Sequence, residues 1–152
     1  MTRKNRIWFM LAVILLSLNV GLSDCQGITL SHLENMLRNE VRRWYGTPYQ
    51  FAGRGKHGVD CSAFVMQVIQ NLFSVTLPRY SGHQARIGKY VSMRHLRAGD
   101  LVFFRINNWN HVGLYLGNRE FAHVSKSRGV RISYINNRYW RVHFWTARRI
   151  FR

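Results

Sequence analysis

Gly58-Val59-Asp60-Cys61-Ser62-Ala63-Phe64-Val65-Met66-Gln67-Val68-Ile69-Gln70-Asn71-Leu72-Phe73 runs from a glycine approach into an apolar helical stripe. Phe64, Val65, Val68, Ile69, Leu72 and Phe73 recur on one helical face, which marks a helix packed on a core. Gly53, Gly55 and Gly58 make the approach flexible, and Asp60 is placed to cap the helix with its carboxylate. Cys61 therefore falls in the first turn of a largely buried helix. Leu77-Pro78-Arg79 ends the unit.

Upstream, Ser31-His32-Leu33-Glu34 reads as a capping box, with Ser31 as the expected N-cap. Leu33, Leu37, Val41 and Trp44 follow at helical spacing, and Gly46-Thr47-Pro48 stops that helix. Downstream of Ala98 the period changes. Residues 101–106 form a β-type run, and Val112, Leu114 and Leu116 alternate onto one face of 111–116. Residues 119–124, 130–135 and 144–150 also read as strands, with turns at Gly117-Asn118 and Asn136-Asn137. Helices followed by consecutive strands predict an α+β domain with N-terminal helices packed on an antiparallel β-sheet.

The chain has 152 residues, enough for one compact domain. Its 47% apolar and 14% aromatic content excludes a disordered or low-complexity chain. Only Cys25 and Cys61 are present, which excludes a disulfide scaffold and a four-cysteine zinc site. Net charge is +17, so the chain should associate with a polyanion: nucleic acid, anionic lipid or cell-wall polymer.

The N-terminus narrows that choice. Arg3, Lys4 and Arg6 precede an apolar run over 7–16, then small and polar residues at Ser17, Gly21 and Ser23. This is the layout of an export signal over 1–23, too short in its apolar core for a comfortable membrane span. Gly21 and Ser23 suit ordinary cleavage ahead of Asp24. A second reading takes Leu22-Ser23-Asp24-Cys25 as a lipoprotein box, with the signal ending at 24 and acylated Cys25 anchoring the protein to a membrane. The charged Asp24 fits that box poorly. Loss of Arg3, Lys4 and Arg6 takes the net charge from +17 to +14, so the mature chain stays basic. Export to the periplasm or cell envelope removes the usual nucleic-acid targets, and no nucleic-acid partner is expected. The expected organisation is a signal at 1–23, an N-terminal mature segment at 24–40 with the start of a helix, and the main domain at 41–152.

A thiol at a helix N-terminus is placed to react, because free N–H groups and the helix dipole favour the thiolate and can receive an oxyanion. Such a nucleophile needs a histidine to carry the proton and a third polar group to orient the ring. His111 and His123 lie 12 residues apart on consecutive predicted strands. A plain two-residue turn would place them on opposite faces of the sheet. Sharing one site requires a three-residue loop or a bulge, and one of these is predicted. Cys61, His111 and His123 could instead bind zinc, but their wide spacing matches no compact zinc motif. A Cys25–Cys61 disulfide would consume the nucleophile. Trp109, Tyr139, Trp140 and Trp145 read as core or rim aromatics, with glycan stacking as the second reading.

At these residues the sequence resembles the NlpC-type cell-wall cysteine peptidases. The nucleophile segment is Gly58-Val59-Asp60-Cys61-Ser62-Ala63-Phe64-Val65. Tyr45-Gly46-Thr47-Pro48-Tyr49 precedes it; Leu77-Pro78-Arg79-Tyr80-Ser81 and Gln84 follow. Then come Leu96-Arg97-Ala98-Gly99-Asp100-Leu101-Val102-Phe103-Phe104, His111-Val112-Gly113-Leu114-Tyr115-Leu116-Gly117, Phe121-Ala122-His123-Val124 and Ala147-Arg148-Arg149-Ile150. Their ordered combination over 41–150 is specific, although each alone is weak. The resemblance implies a papain-like α+β fold and a peptidase of peptidoglycan stem peptides or cross-links. It implies Cys61 as nucleophile, His111 as base and acid, and His123 as the orienting residue. Tyr49 matches a tyrosine near the oxyanion site, and Asp60, Ser62 and Arg79 match positions lining the substrate groove. No cofactor or metal is implied, and a monomer is expected. Ala63 departs from the family, which usually carries glycine there. The competing functions are an amidase or acyltransferase with the same nucleophile, and a basic, non-catalytic wall-binding module.

Overall fold

The computed structural model describes residues 29–151. The export segment expected over 1–23, its alternative end at 24, and Cys25 lie outside the described residues. Helix α1 (Leu30–Arg42) comes first. Short strands β1 (Arg54–Gly55) and β2 (Gly58–Val59) pair as a hairpin before helix α2 (Cys61–Phe73). A one-turn helix α3 (Ser81–Gln84), strand β3 (Lys89–Val91) and a 3-10 turn (Met93–His95) lead to the main sheet. Its strands are β4 (Leu101–Ile106), β5 (Trp109–Gly117), β6 (Glu120–Ser125), β7 (Gly129–Tyr134) and β8 (Phe144–Arg149), with helix α4 (Arg138–His143) before the last. The six strands order as β3-β8-β4-β5-β6-β7, and every pair is antiparallel. The α+β architecture expected from the sequence is the one observed.

The apolar stripe of α2 explains where the core sits. Phe64, Val65, Val68 and Ile69 are fully buried against Leu101, Phe103, Val112 and Leu114 of the sheet, together with Leu37 and Val41 of α1. Each such side chain contributes about 1.5–3 kcal/mol through burial. The opposite sheet face has its own apolar layer, in which Phe104, Tyr115 and Phe121 pack with Trp140 of α4 and Phe144. Glu40 joins the helices: its buried carboxylate accepts from Trp44 Nε1 (3.3 Å) and from Asn71 Nδ2 of α2 (2.8 Å). Asp100, 1% exposed, accepts from Arg149 Nε (2.8 Å) and Nη2 (2.7 Å) of β8, and from the Arg97 backbone N–H (2.8 Å).

The cap of α1 differs from the sequence expectation. Thr29, not Ser31, is the N-cap; its backbone is extended and its hydroxyl accepts from His32 N–H at 3.3 Å. Leu30 is already helical, so Ser31 lies inside the first turn and cannot be the boundary residue. Glu34 is thereby turned to a different task, with its carboxylate packed against the Cα of Gly117.

The turn between β5 and β6 decides whether the two histidines share a face. It is a two-residue turn, Asn118-Arg119, both with positive φ (53° and 65°), closed by the pair Gly117↔Glu120. Beyond it the register shifts between Tyr115 and Gly117, so Leu116 is an extra residue, a β-bulge. The bulge changes the parity of β5 relative to β6 and brings His111 and His123 onto one side.

Candidate active site

Strands β5 and β6 pair from the turn only as far as Leu114↔Ala122. Beyond that they part, while β5 stays paired to β4 through His111. Val112 of β5 brings its backbone N–H to the Cys61 side of the sheet, where it favours the thiolate. Cys61 is the first residue of α2 and half-buried. Two histidine rings bridge the parted strands: His111 Nε2 lies 3.1 Å from His123 Nδ1, and His123 Nε2 lies 2.9 Å from Ser133 Oγ on β7. Cys61, His111 and His123 line one cavity of about 500 Å³. Gly113 makes the approach possible, since a Cβ there would lie 2.6 Å from the Phe121 ring and 2.8 Å from the Ala122 carbonyl oxygen.

The first turn of α2 is fixed from the other side. Asp60 caps it, with Oδ1 accepting from the Ala63 N–H (2.8 Å), Ser62 Oγ (2.9 Å) and Arg79 Nη1 (3.0 Å). Arg79 Nη2 donates to Oδ2, and Arg79 Nη1 also donates to Ser62 Oγ (3.0 Å). Burial opposes ionisation of Asp60, but these bonds outweigh it and hold the carboxyl below its ordinary 3.8. Buried Gln84 donates to the Ser62 carbonyl (3.1 Å) and the Pro78 carbonyl (2.8 Å), tying α2 to the Arg79 segment. Asp60, Ser62 and Arg79 line a second cavity of about 300 Å³ that also reaches Cys61 and Tyr49. Ala63, where the sequence departs from the glycine usual in the resembled family, is fully buried.

Electrostatics depart from the helix-terminus argument. Burial pushes the Cys61 thiol above its ordinary 9.0; N–H groups of Val112, Ser62 and Cys61 itself favour the thiolate, while the nearby Asp60 charge disfavours it. Desolvation therefore wins over the N–H groups at the helix N-terminus. Burial, aided by the Lys126 charge, lowers His111 to about 4. Burial, then the charges of His111 and Arg131, lower His123 to about 3, against a backbone bond at Val124. The resting pair is a neutral thiol beside neutral imidazoles. Tyr49 is raised by burial and by the nearby Cys61 and Asp60 charges, so its hydroxyl stays an O–H donor.

These shifts carry a stability consequence. With both rings lowered in the fold, the unfolded chain binds more protons from pH 6.5 down to about 4 at His111 and about 3 at His123. The stabilisation is fully present above pH 6.5 and is lost as pH falls through that window. Urea melts from pH 7 to pH 4 should show falling stability, with a shallower slope in His123→Asn. An identical slope in that variant would contradict the buried neutral pair.

The structure brings together Cys61, His111, His123 and Tyr49 in one cavity, and Asp60, Ser62 and Arg79 in the adjoining one. Two neighbours were not singled out for this site from the sequence. Ser133 accepts or donates at His123; it shares that ring's sheet side because His123 pairs with Arg131. Trp140 stacks on His111 (centroids 5.8 Å apart, planes at 23°) and meets His123 edge-on at 4.7 Å, shielding both rings. Its signal was weak, because the short helix that carries it has no buried residue to create a period.

Comparison with known proteins bears on this arrangement. The NlpC/P60 family matches residues 46–149. In Escherichia coli (strain K12), the protein named Probable endopeptidase NlpC is 44% identical over 117 residues, covering 75% of this chain and 76% of its own length. Murein DD-endopeptidase MepS/Murein LD-carboxypeptidase of the same strain is 41% identical over 127 residues, covering 77% and 68%. The crystal structure of an NlpC/P60 family protein from Bacillus cereus superposes with a TM-score of 0.70 at 33% identity, over 76% of this chain and 39% of that longer one. A family match over most of the chain, and relatives above 40% identity across most of their own length, mean that this chain belongs to the NlpC/P60 family.

Proposed function

We propose that this protein is a cysteine endopeptidase that hydrolyses peptide bonds in peptidoglycan stem peptides or cross-links, with Cys61 as nucleophile, His111 as base and acid, and His123 orienting His111. The observation that carries the reading is the 3.1 Å His111–His123 bond beside Cys61, in a family whose similar members are named murein and peptidoglycan endopeptidases.

The hydrogen-bond chain accommodates the tautomers that the reaction needs. In that arrangement His111 Nε2–H donates to His123 Nδ1, and His123 Nε2–H donates to Ser133 Oγ. That leaves His111 Nδ1 as the free base. As the Cys61 sulfur attacks the carbonyl carbon, its proton passes to Nδ1, since the resting thiol is neutral. The carbonyl oxygen gathers charge and takes N–H bonds at the start of α2, with the Tyr49 hydroxyl beside it. Collapse breaks the C–N bond, and His111 returns the proton to the leaving amine. Water, deprotonated by the same nitrogen, then attacks the thioacyl carbon and releases acid and thiol. Asp60, Ser62 and Arg79 line the acyl side of the groove.

Export to the periplasm or envelope follows from the signal read over 1–23, with acylation at Cys25 as the alternative anchor. The basic chain suits retention on an acidic wall polymer, through contacts weakened by salt. The test is a digest of purified peptidoglycan with wild-type and Cys61→Ala protein, read by mass spectrometry. New peptide fragments are expected with wild type alone. Equal fragments from Cys61→Ala, or none from either protein across several wall types, would overturn the proposal.

A further inference from the structure

Two cavities meet at Cys61, and the chemistry assigns them to the two halves of the substrate. This step rests on the peptidase reading above. The leaving nitrogen must reach His111 for its proton, so the amine half occupies the cavity of about 500 Å³ that holds His111. The acyl half occupies the cavity of about 300 Å³ beside Asp60 and Arg79, whose charges already neutralise each other.

The amine-side cavity carries a single charged side chain with neutral histidines around it. That group is Lys126, at the tip of the β6–β7 loop, with Nζ 4.8 Å from the centroid of the Trp109 ring. Among the described residues no carboxylate lies within ion-pair distance of it. Its charge also bears on His111, making that ring a poorer base. A cation in this position opposes proton uptake until an anion offsets it. Asn110 and Ser127, on the same wall, supply neutral hydrogen-bonding groups beside it.

We propose that Lys126 forms a carboxylate-binding subsite on the leaving-group side, so that the enzyme prefers bonds whose released amine belongs to a residue bearing a free carboxylate. Trp109 holds the ammonium over the cavity, and the substrate carboxylate completes the ion pair. Binding the carboxylate also removes the field that lowers the basicity of His111. Recognition of the substrate and readiness of the base are thereby coupled.

The test uses two cross-linked stem-peptide dimers that differ only at the leaving residue, one with its carboxyl free and one with it as the carboxamide. Binding is measured by calorimetry on Cys61→Ala, which cannot turn over. The free acid should bind about tenfold more tightly than the carboxamide. Adding Lys126→Gln should erase the difference by weakening the acid alone, and Lys126→Arg should keep most of it. In the enzyme with Cys61 intact, Lys126→Gln should raise KM for the acid but not for the carboxamide, whose kcat should rise because the field on His111 is gone. Equal binding of the two dimers, or equal weakening of both by Lys126→Gln, would overturn the subsite. A carboxylate preference in binding with no cleavage by wild type would uphold the subsite and refute the peptidase reading. Cleavage with no carboxylate preference would do the reverse.

Discussion

Cys61→Ala and His111→Ala are each expected to lower kcat by at least about 10⁴-fold, and the double variant should fall no further than either single one. The reason is that the two side chains act in one event. The raised thiol and lowered imidazole leave the pair neutral at rest, so attack requires the proton to move to His111 as the C–S bond forms. Without His111 the sulfur must ionise alone, against burial and the Asp60 charge. Without Cys61 the base has no thiol to activate. What remains is the orientation and oxyanion contribution of the α2 N-terminus, common to all three variants. KM should change little, because neither group is needed to seat the peptide. Initial rates on a soluble cross-linked stem peptide, followed by chromatography, give the comparison. A His111→Ala variant retaining more than a few per cent of kcat, or a double variant with multiplied losses, would contradict the shared step.

Arg149→Met is expected to have the largest stability effect, a loss of about 3 kcal/mol, the lower end for breaking a buried pair because a quarter of the Arg149 side chain stays exposed. Asp100 would be left at the start of β4 with two guanidinium bonds removed and only the Arg97 N–H remaining. Arg149 Nη2 also donates to the His95 carbonyl (2.9 Å), so the ion pair clamps the loop before β4 onto β8. Removing both charges, as in Asp100→Leu with Arg149→Met, should cost much less than removing Arg149 alone, since no orphaned carboxylate is then buried. Urea unfolding of the three proteins at pH 7 measures this. Equal losses in the single and double variants would show that the carboxylate is not what the arginine protects.

How far these features could be read in advance depended on the kind of signal each residue carries. Helix α2 stood out because its apolar residues recur on one face, and strand β4 because its apolar residues form an unbroken run. Parity alone exposed the conflict between His111 and His123 and demanded an irregularity. The structure supplies it as the extra residue Leu116. By contrast, β3 is a three-residue edge strand with one buried side chain, too short for a period. Helix α4 is six residues with none buried, and Asn137, read as part of a turn, closes that turn through its N–H to the Tyr134 carbonyl (3.1 Å) and also caps the helix through its Oδ1 to the Tyr139 N–H (2.9 Å). Thr29 and Ser31 are both favoured N-cap residues, so side-chain type alone did not choose between them, and the backbone leaves the extended state at Thr29. Placement on a helix N-terminus pointed toward an acidic thiol. Burial reversed that sign, and burial is a property of the assembled domain.

Turnover of a soluble cross-linked stem peptide in the presence of hydroxylamine tests the Cys61 chemistry most directly. A thioacyl intermediate must partition between water and the added nucleophile. The account predicts that the acyl half appears partly as its hydroxamate, in a share that rises with hydroxylamine, and that Cys61→Ala gives neither hydroxamate nor acid. Acid as the sole product at every hydroxylamine concentration, or cleavage that persists in Cys61→Ala, would contradict it.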